Sequence, residues 1–147
     1  MTSISAERLI PAAPEKVFSF LADLESHWRL AGKWVDVLEL EGPPGRRTGG
    51  KVRIHGPFGV GRTAVTTITD VNEPECVAGT AAMGDTRGRV RWTLTPEGKG
   101  TRVCLEATVD SLETQDALLL HLGGKQWLHA RFGKTLEALE QAIASGQ

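Results

Sequence analysis

Six strand-like segments follow one another between residues 35 and 109, and this region constrains the fold more than any other part of the chain. Each segment is short and rich in β-branched residues, and glycine, proline, asparagine or aspartate separates it from the next. This pattern is typical of an antiparallel meander. The predicted strands are Val35–Leu40, Lys51–His55, Arg62–Val71, Glu75–Met83, Arg87–Thr95 and Arg102–Val109.

The alternation within these segments indicates a sheet with two different faces. In the segment 87–95, arginine and threonine alternate with a second set, Gly88, Val90, Trp92 and Leu94. Because successive side chains of a strand point to opposite faces, one face meets water and the other is covered. The segment 102–109 repeats the alternation. We therefore predict an apolar sheet face that another element has to cover.

The beginning of the chain predicts one strand and two helices. Residues Ile4–Ile10 form the strand, and Pro14 followed by Glu15 is typical of a helix N-terminus. A second short helix is predicted over Glu25–Ala31, with Gly32 as its end.

The C-terminal third predicts a long helix that is able to cover the sheet. Its apolar residues recur at helical spacing and form one narrow stripe: Leu128, Phe132, Leu136, Leu139 and Ile143. Each glycine of the pair Gly123-Gly124 weakens a helix by about 1 kcal/mol relative to alanine. We expect a kink or a boundary at this pair.

Composition excludes several classes of protein. The 147 residues suit a single domain, and a formal charge of −1 argues against a dedicated nucleic-acid binder. The sequence lacks an apolar stretch long enough for a membrane span and a signal-peptide pattern at its start, so we expect one cytoplasmic domain over residues 1–147. Two cysteines make neither a disulfide framework nor a metal site, and no histidine pair has metal-ligand spacing. No metal or other cofactor is expected.

A curved sheet that grips one straight helix does not close tightly at both ends, which favours a pocket. Small residues on the predicted covered faces would deepen it, namely Gly79, Ala81, Gly88 and Ala107. The alternative is a small, fully packed core, because protein interiors are normally close-packed.

The order of elements and three motifs resemble the START-like (SRPBCC) superfamily, the polyketide cyclase/dehydrase and lipid-transport group. The motifs are the opening run 10–18, the segment 65–71 with Pro74, and residues 89–94 followed by 100–103. The resemblance implies an α+β helix-grip fold of β-α-α-β6-α order, a curved antiparallel seven-stranded sheet wrapped around a long C-terminal helix. It implies binding of hydrophobic small molecules, with cyclisation or dehydration in a minority of members, and no shared catalytic residue. The glycine-rich middle is also similar to the G subunit of carbon monoxide dehydrogenase.

Four aromatic residues are candidates for ligand contact. Trp92 lies on the covered face of its strand, where an indole supplies a flat wall and one N–H donor. Trp28 and Trp34 bracket the second helix and could form the rim of a pocket, and Phe58 lies at the apolar tip of the loop 56–61. Ordinary core packing is the alternative for Trp92, and loop packing is the alternative for Phe58.

Three polar residues of the closing helix, His121, Lys125 and His129, lie near its apolar stripe. In this position they could anchor a ligand carboxylate or phenol, or act as a general acid–base pair. Alternatively, this end of the helix overhangs the sheet and the groups are solvated, because Gly123-Gly124 can begin a new helical phase.

Two histidines and one further tryptophan receive other interpretations. His27 and His55 are expected at the surface or in capping roles. Trp127 lies off the apolar stripe, so we expect it to be an exposed contact for a partner or second copy, or to pack under a loop.

Three functions remain compatible with the sequence. The first is binding of a hydrophobic small molecule, such as a lipid, an isoprenoid or a polyketide-like aromatic. The second is a polyketide cyclase or dehydratase in which His121 or Lys125 moves protons. The third is a recruitment or assembly subunit, with a homodimer as one form and Trp127 and Phe58 as its contacts.

Overall fold

The computed structural model describes residues 2–56 and 59–145, and its elements follow the predicted order. The strands are β1 (Thr2–Ile10), β2 (Val35–Glu41), β3 (Gly49–His55), β4 (Gly61–Asn72), β5 (Cys76–Met83), β6 (Thr86–Glu97) and β7 (Gly100–Ser111). The helices are α1 (Pro14–Leu21), α2 (Leu24–Ala31), α3 (Thr114–Leu119) and α4 (Lys125–Ala144), with a 3₁₀ turn at Gly32–Trp34. The α+β helix-grip fold is confirmed.

The seven strands form one antiparallel sheet in the order β1-β7-β6-β5-β4-β3-β2. Trp92 in β6 pairs with Val77 in β5 and with Leu105 in β7, which places three buried side chains next to one another. The arginines of β6 point to the opposite, exposed face. The alternation predicted for this strand is therefore confirmed.

The main core lies where α1 and the C-terminal half of α4 pack against the sheet. Leu136, Leu139 and Ile143 of α4 are buried in the same cluster as Phe18 and Leu21 of α1. Leu128 and Phe132, the earlier residues of the same stripe, are only partly buried. The stripe thus packs tightly toward its C-terminal end and leaves space toward its N-terminal end.

The predicted interruption of the C-terminal helix lies between α3 and α4. The segment Leu120–Gly124 forms a π-type turn, and Gly123 adopts a φ of 111°. Side chains strongly disfavour this backbone conformation, which explains why glycine occupies the position. Among the described helices, we find no segment whose length and hydropathy would allow it to span a lipid bilayer.

A polar cluster fixes the start of α3 to the sheet. Arg62 of β4 donates to Glu113 at 2.5 Å and to Asp116 at 2.9 Å, and Asp116 also accepts from the Thr86 hydroxyl. Asp116 is buried, and the hydrogen bond from Arg62 lowers the pKa of Glu113. We call Arg62, Thr86, Glu113 and Asp116 the Arg62 cluster.

Candidate ligand-binding cavity

A cavity of about 340 Å³ lies between the inner face of the sheet, α2 and the N-terminal half of α4. Its volume falls within the range of small-molecule sites, roughly 300–1,000 Å³. The four small residues expected to deepen a pocket all line it: Gly79, Ala81, Gly88 and Ala107. The predicted pocket is thus present, and the fully packed core is excluded.

The close approach of β5 to β4 explains why one of these small residues, Gly79, is a glycine. A Cβ atom added to Gly79 would lie 2.3 Å from the backbone oxygen of Thr67 in the neighbouring strand. Only glycine fits at this distance, and it leaves the cavity wall without a side chain. Local packing of β4 and β5 therefore also enlarges the cavity.

Three tryptophans predicted as contacts lie in the cavity wall. Trp92 contributes from the sheet, and Trp28 and Trp34 contribute from α2 and the 3₁₀ turn that follows it. Trp127 of α4 also lines the cavity and meets the Trp34 ring edge-on, with 5.9 Å between the ring centroids. The expectation that Trp127 is exposed is wrong, because the side of α4 that carries it faces Trp34.

His27 is a cavity residue that the sequence analysis assigned to the surface. Its Nε2 donates to the backbone oxygen of Leu21 at 2.7 Å, and its ring centroid lies 5.4 Å from that of Trp92. Burial lowers the pKa of His27, outweighing the Leu21 hydrogen bond and the nearby Asp23 charge, so the neutral imidazole is favoured. His27 lies three residues after Leu24 and three residues before Leu30, and this helical spacing could have predicted that it shares their face of α2.

Arg131 is a second cavity residue that the sequence analysis missed. Its guanidinium carbon lies 4.7 Å from the centroid of the Trp34 ring. The Nε atom of Arg131 and the Nε1 atom of Trp28 are buried and have no hydrogen-bond partner among the described residues. Arg131 is one helical turn after Trp127, which was the signal for its position.

His121, Lys125 and His129 are exposed and lie outside the set of described residues that line the cavity. His121 precedes the φ reversal at Gly123, so it does not share the helical phase of α4. The expectation that these three groups point into the cavity or toward its mouth is not met in this structure. Phe58 falls outside the residues that the structure describes.

The positions of Lys125 and His129 have a geometric explanation. At about 100° per residue, they lie about 60° and 100° to one side of Leu128, whereas Arg131 and Trp127 lie equally far to the other side. The cavity is lined by Arg131 and Trp127. Because helical periodicity places the two pairs of residues at the same angular distance from Leu128, it does not predict which side of the helix faces the cavity.

A curved sheet closed on one long helix around an apolar cavity defines a helix-grip domain. The chain belongs to the polyketide cyclase/dehydrase and lipid transport family, whose sequence model matches residues 1–144. Family and fold support a role in hydrophobic ligand binding or cyclisation in general. A comparison with curated proteins gave no match.

Solved structures share the fold over nearly the whole chain. The protein TTHA0849 from Thermus thermophilus is 27% identical with a TM-score of 0.75, and the match covers 99% of this chain and 100% of that one. Ms6760 from Mycobacterium smegmatis is 16% identical with a TM-score of 0.69, covering 99% and 92%. DR_A0006 from Deinococcus radiodurans is 12% identical with a TM-score of 0.67, covering 100% of both chains. The last two show similarity of fold alone.

Proposed function

We propose that the protein binds a hydrophobic small molecule, such as a lipid, an isoprenoid or a polyketide-like aromatic, in the cavity between the sheet and α4. The observation that carries the proposal is the cavity of about 340 Å³ whose wall consists mainly of aliphatic and tryptophan side chains. Removing apolar ligand surface from water supplies roughly 25 cal/mol per Å². Trp28, Trp34 and Trp92 are the contacts we assign, and Phe58 stays a predicted one.

The same cavity bears on the enzymatic alternative. A cyclase or dehydratase that moves protons with His121 or Lys125 gains no support from the geometry, because both side chains are exposed away from the cavity. His27 is better placed for proton transfer. Its Nε2–H is engaged by Leu21, and its Nδ1 has no partner among the described residues, so Nδ1 could accept a proton.

A cavity-filling substitution tests the binding proposal. Ala81 lines the cavity, whereas Ala130 is exposed on α4. We expect Ala81→Leu to reduce the thermal shift produced by fatty acids, quinones or flavonoids by more than half, because the added side chain occupies ligand volume. Ala130→Leu is the matched control and leaves the shift unchanged.

Two results would contradict the proposal. One is the absence of a thermal shift with every compound of the panel, together with native mass spectra of freshly purified protein that show no bound small molecule. The other is an equal shift in wild type and Ala81→Leu, which would place the ligand outside the cavity.

A further inference from the structure

Among the described residues that line the cavity, every charged one is basic. Four of the described lining residues are basic, and none is aspartate or glutamate. Arg87 and Arg89 belong to β6 and direct their side chains to the opposite, exposed face of the sheet, so the basic side chains on the cavity side are Arg131 and Lys134 of α4. A site for a purely apolar ligand would not require an excess of basic residues in its wall. The positive charge on the cavity side of the wall therefore comes from α4, and it favours a ligand that carries negative charge.

Arg131 differs from two neighbouring cations in its partners. Arg89 pairs with Asp110 at 2.9 Å, and Lys134 pairs with Glu137 at 3.5 Å. Arg131 makes no ion pair with a carboxylate in the described part of the chain, although its side chain is partly buried. A partly buried cation without a counter-charge is unfavourable, so an anionic ligand group would relieve this penalty.

Aromatic contacts hold Arg131 at the cavity. Its guanidinium lies over the Trp34 ring, which itself packs edge-on against Trp127. The Lys33 ammonium lies 5.6 Å from the centroid of the same Trp34 ring and adds positive charge there. Cation–π contacts of this kind leave the N–H groups of the guanidinium free to donate in its plane.

The other unpartnered polar atom of the helical wall is also a donor. Trp28 Nε1 is buried without a partner among the described residues, and an indole N–H can only donate. Trp28 lies on α2, which packs against α4, and Trp34 follows on the adjoining turn. The helical wall thus contains buried N–H donors without partners among the described residues, and the sheet wall offers small apolar side chains.

We propose that the ligand is an amphipathic carboxylic acid whose carboxylate binds Arg131 while its apolar body lies against the sheet. This inference rests on the proposed function and adds the chemical class and the orientation of the ligand. A planar carboxylate matches the paired N–H groups of a guanidinium. Arg131 is one partly buried guanidinium without a carboxylate partner among the described residues. We therefore expect the ligand to carry one negative charge.

Matched ligands and variants test the inference. Dissociation constants of dodecanoate and dodecan-1-ol, measured by calorimetry below micelle-forming concentrations at pH 8, compare the same apolar chain with and without charge. We expect wild type to bind dodecanoate at least tenfold more tightly. Arg131→Gln should reduce this preference to less than threefold, because it weakens the binding of dodecanoate more than that of dodecan-1-ol, and Arg131→Lys should retain part of the preference.

Arg29→Gln is the control, since Arg29 is an exposed arginine on α2 and the substitution removes the same charge. We expect it to keep the preference for dodecanoate. Circular dichroism shows whether each variant folds. If Arg131→Gln does not fold, the change in the preference for dodecanoate is measured on Arg131→Lys instead.

Three outcomes would overturn the inference alone: equal affinity of wild type for acid and alcohol, an undiminished preference in Arg131→Gln, or loss of the preference in Lys125→Gln instead. Failure of both compounds and of the whole apolar panel to bind would overturn the proposed function as well. The two failures are therefore distinguishable.

Discussion

His27 connects α2 with α1 through one hydrogen bond and with the sheet through one ring contact. The bond to Leu21 keeps its proton on Nε2, and the contact with Trp92 removes the ring from water. Burial favours the neutral imidazole in the folded chain and lowers the pKa of His27, although the Leu21 hydrogen bond acts in the opposite direction. The folded state therefore binds a proton at His27 less readily than the unfolded chain does.

This difference predicts how stability depends on pH. Its contribution is fully present above the ordinary histidine pKa of 6.5 and is lost as the pH falls from there toward the lowered pKa of the folded state. The free energy of unfolding falls by at most about 1.4 kcal/mol per pH unit from this one group. We expect His27→Gln, which does not titrate, to flatten the slope between pH 7.5 and 5.5 in chemical denaturation.

His129→Gln is the matched control for this measurement, because His129 is exposed on α4. It should retain the wild-type slope. Identical slopes in wild type and His27→Gln would show that His27 is not protected from protonation in the folded state.

At the scale of elements, α4 and the turn before it contain two glycines with opposite conformational requirements. Gly123 precedes the helix with a φ of 111°, whereas Gly133 lies within the helix, where an added Cβ would meet nothing within 4 Å. The first glycine is required by the backbone conformation. The second only increases the conformational entropy of the unfolded chain.

Alanine substitutions should therefore change stability in opposite directions. We expect Gly133→Ala to raise the free energy of unfolding by about 0.5–1 kcal/mol. We expect Gly123→Ala to lower it by about 1–2 kcal/mol, since alanine disfavours positive φ. Urea denaturation measures both, and a loss of stability in Gly133→Ala or a gain in Gly123→Ala would contradict the assignment.

At the scale of the whole molecule, the Arg62 cluster connects two strands of the sheet to the start of the C-terminal helical region. Arg62 comes from β4 and Thr86 from β6, while Glu113 and Asp116 come from the N-terminal end of α3. Its carboxylates lie on the segment that leads to the π-type turn and α4. The cluster therefore helps to set where the closing helix begins.

We expect Arg62→Met to lower the free energy of unfolding by about 2 kcal/mol, because buried Asp116 would lose its counter-charge and a hydrogen bond. Arg102→Gln removes a surface pair with Glu97 and should have a much smaller effect. Denaturant unfolding of both variants measures the difference. An equal decrease in the free energy of unfolding of the two variants would mean that the Arg62 cluster stabilises the fold no more than a surface ion pair does.

The assembly hypothesis also belongs to the whole molecule. The homodimer and the recruitment role stay predictions, and Trp127 is no longer the natural contact for them, since it packs against Trp34. Light scattering of the wild-type chain measures the oligomeric state directly.

The sequence by itself determined the order of the elements, the covered face of β6 and β7, the kink at Gly123 and the small residues that open the cavity. These are local properties, because strand alternation, helical spacing and the conformational freedom of glycine depend on near neighbours in the chain. Only the tertiary structure decided which side of the Leu128 stripe faces the cavity, and so brought Arg131 and Trp127 to Trp34 rather than Lys125 and His129. That choice depends on how α4 crosses the sheet and α2, a long-range contact that helical periodicity does not encode.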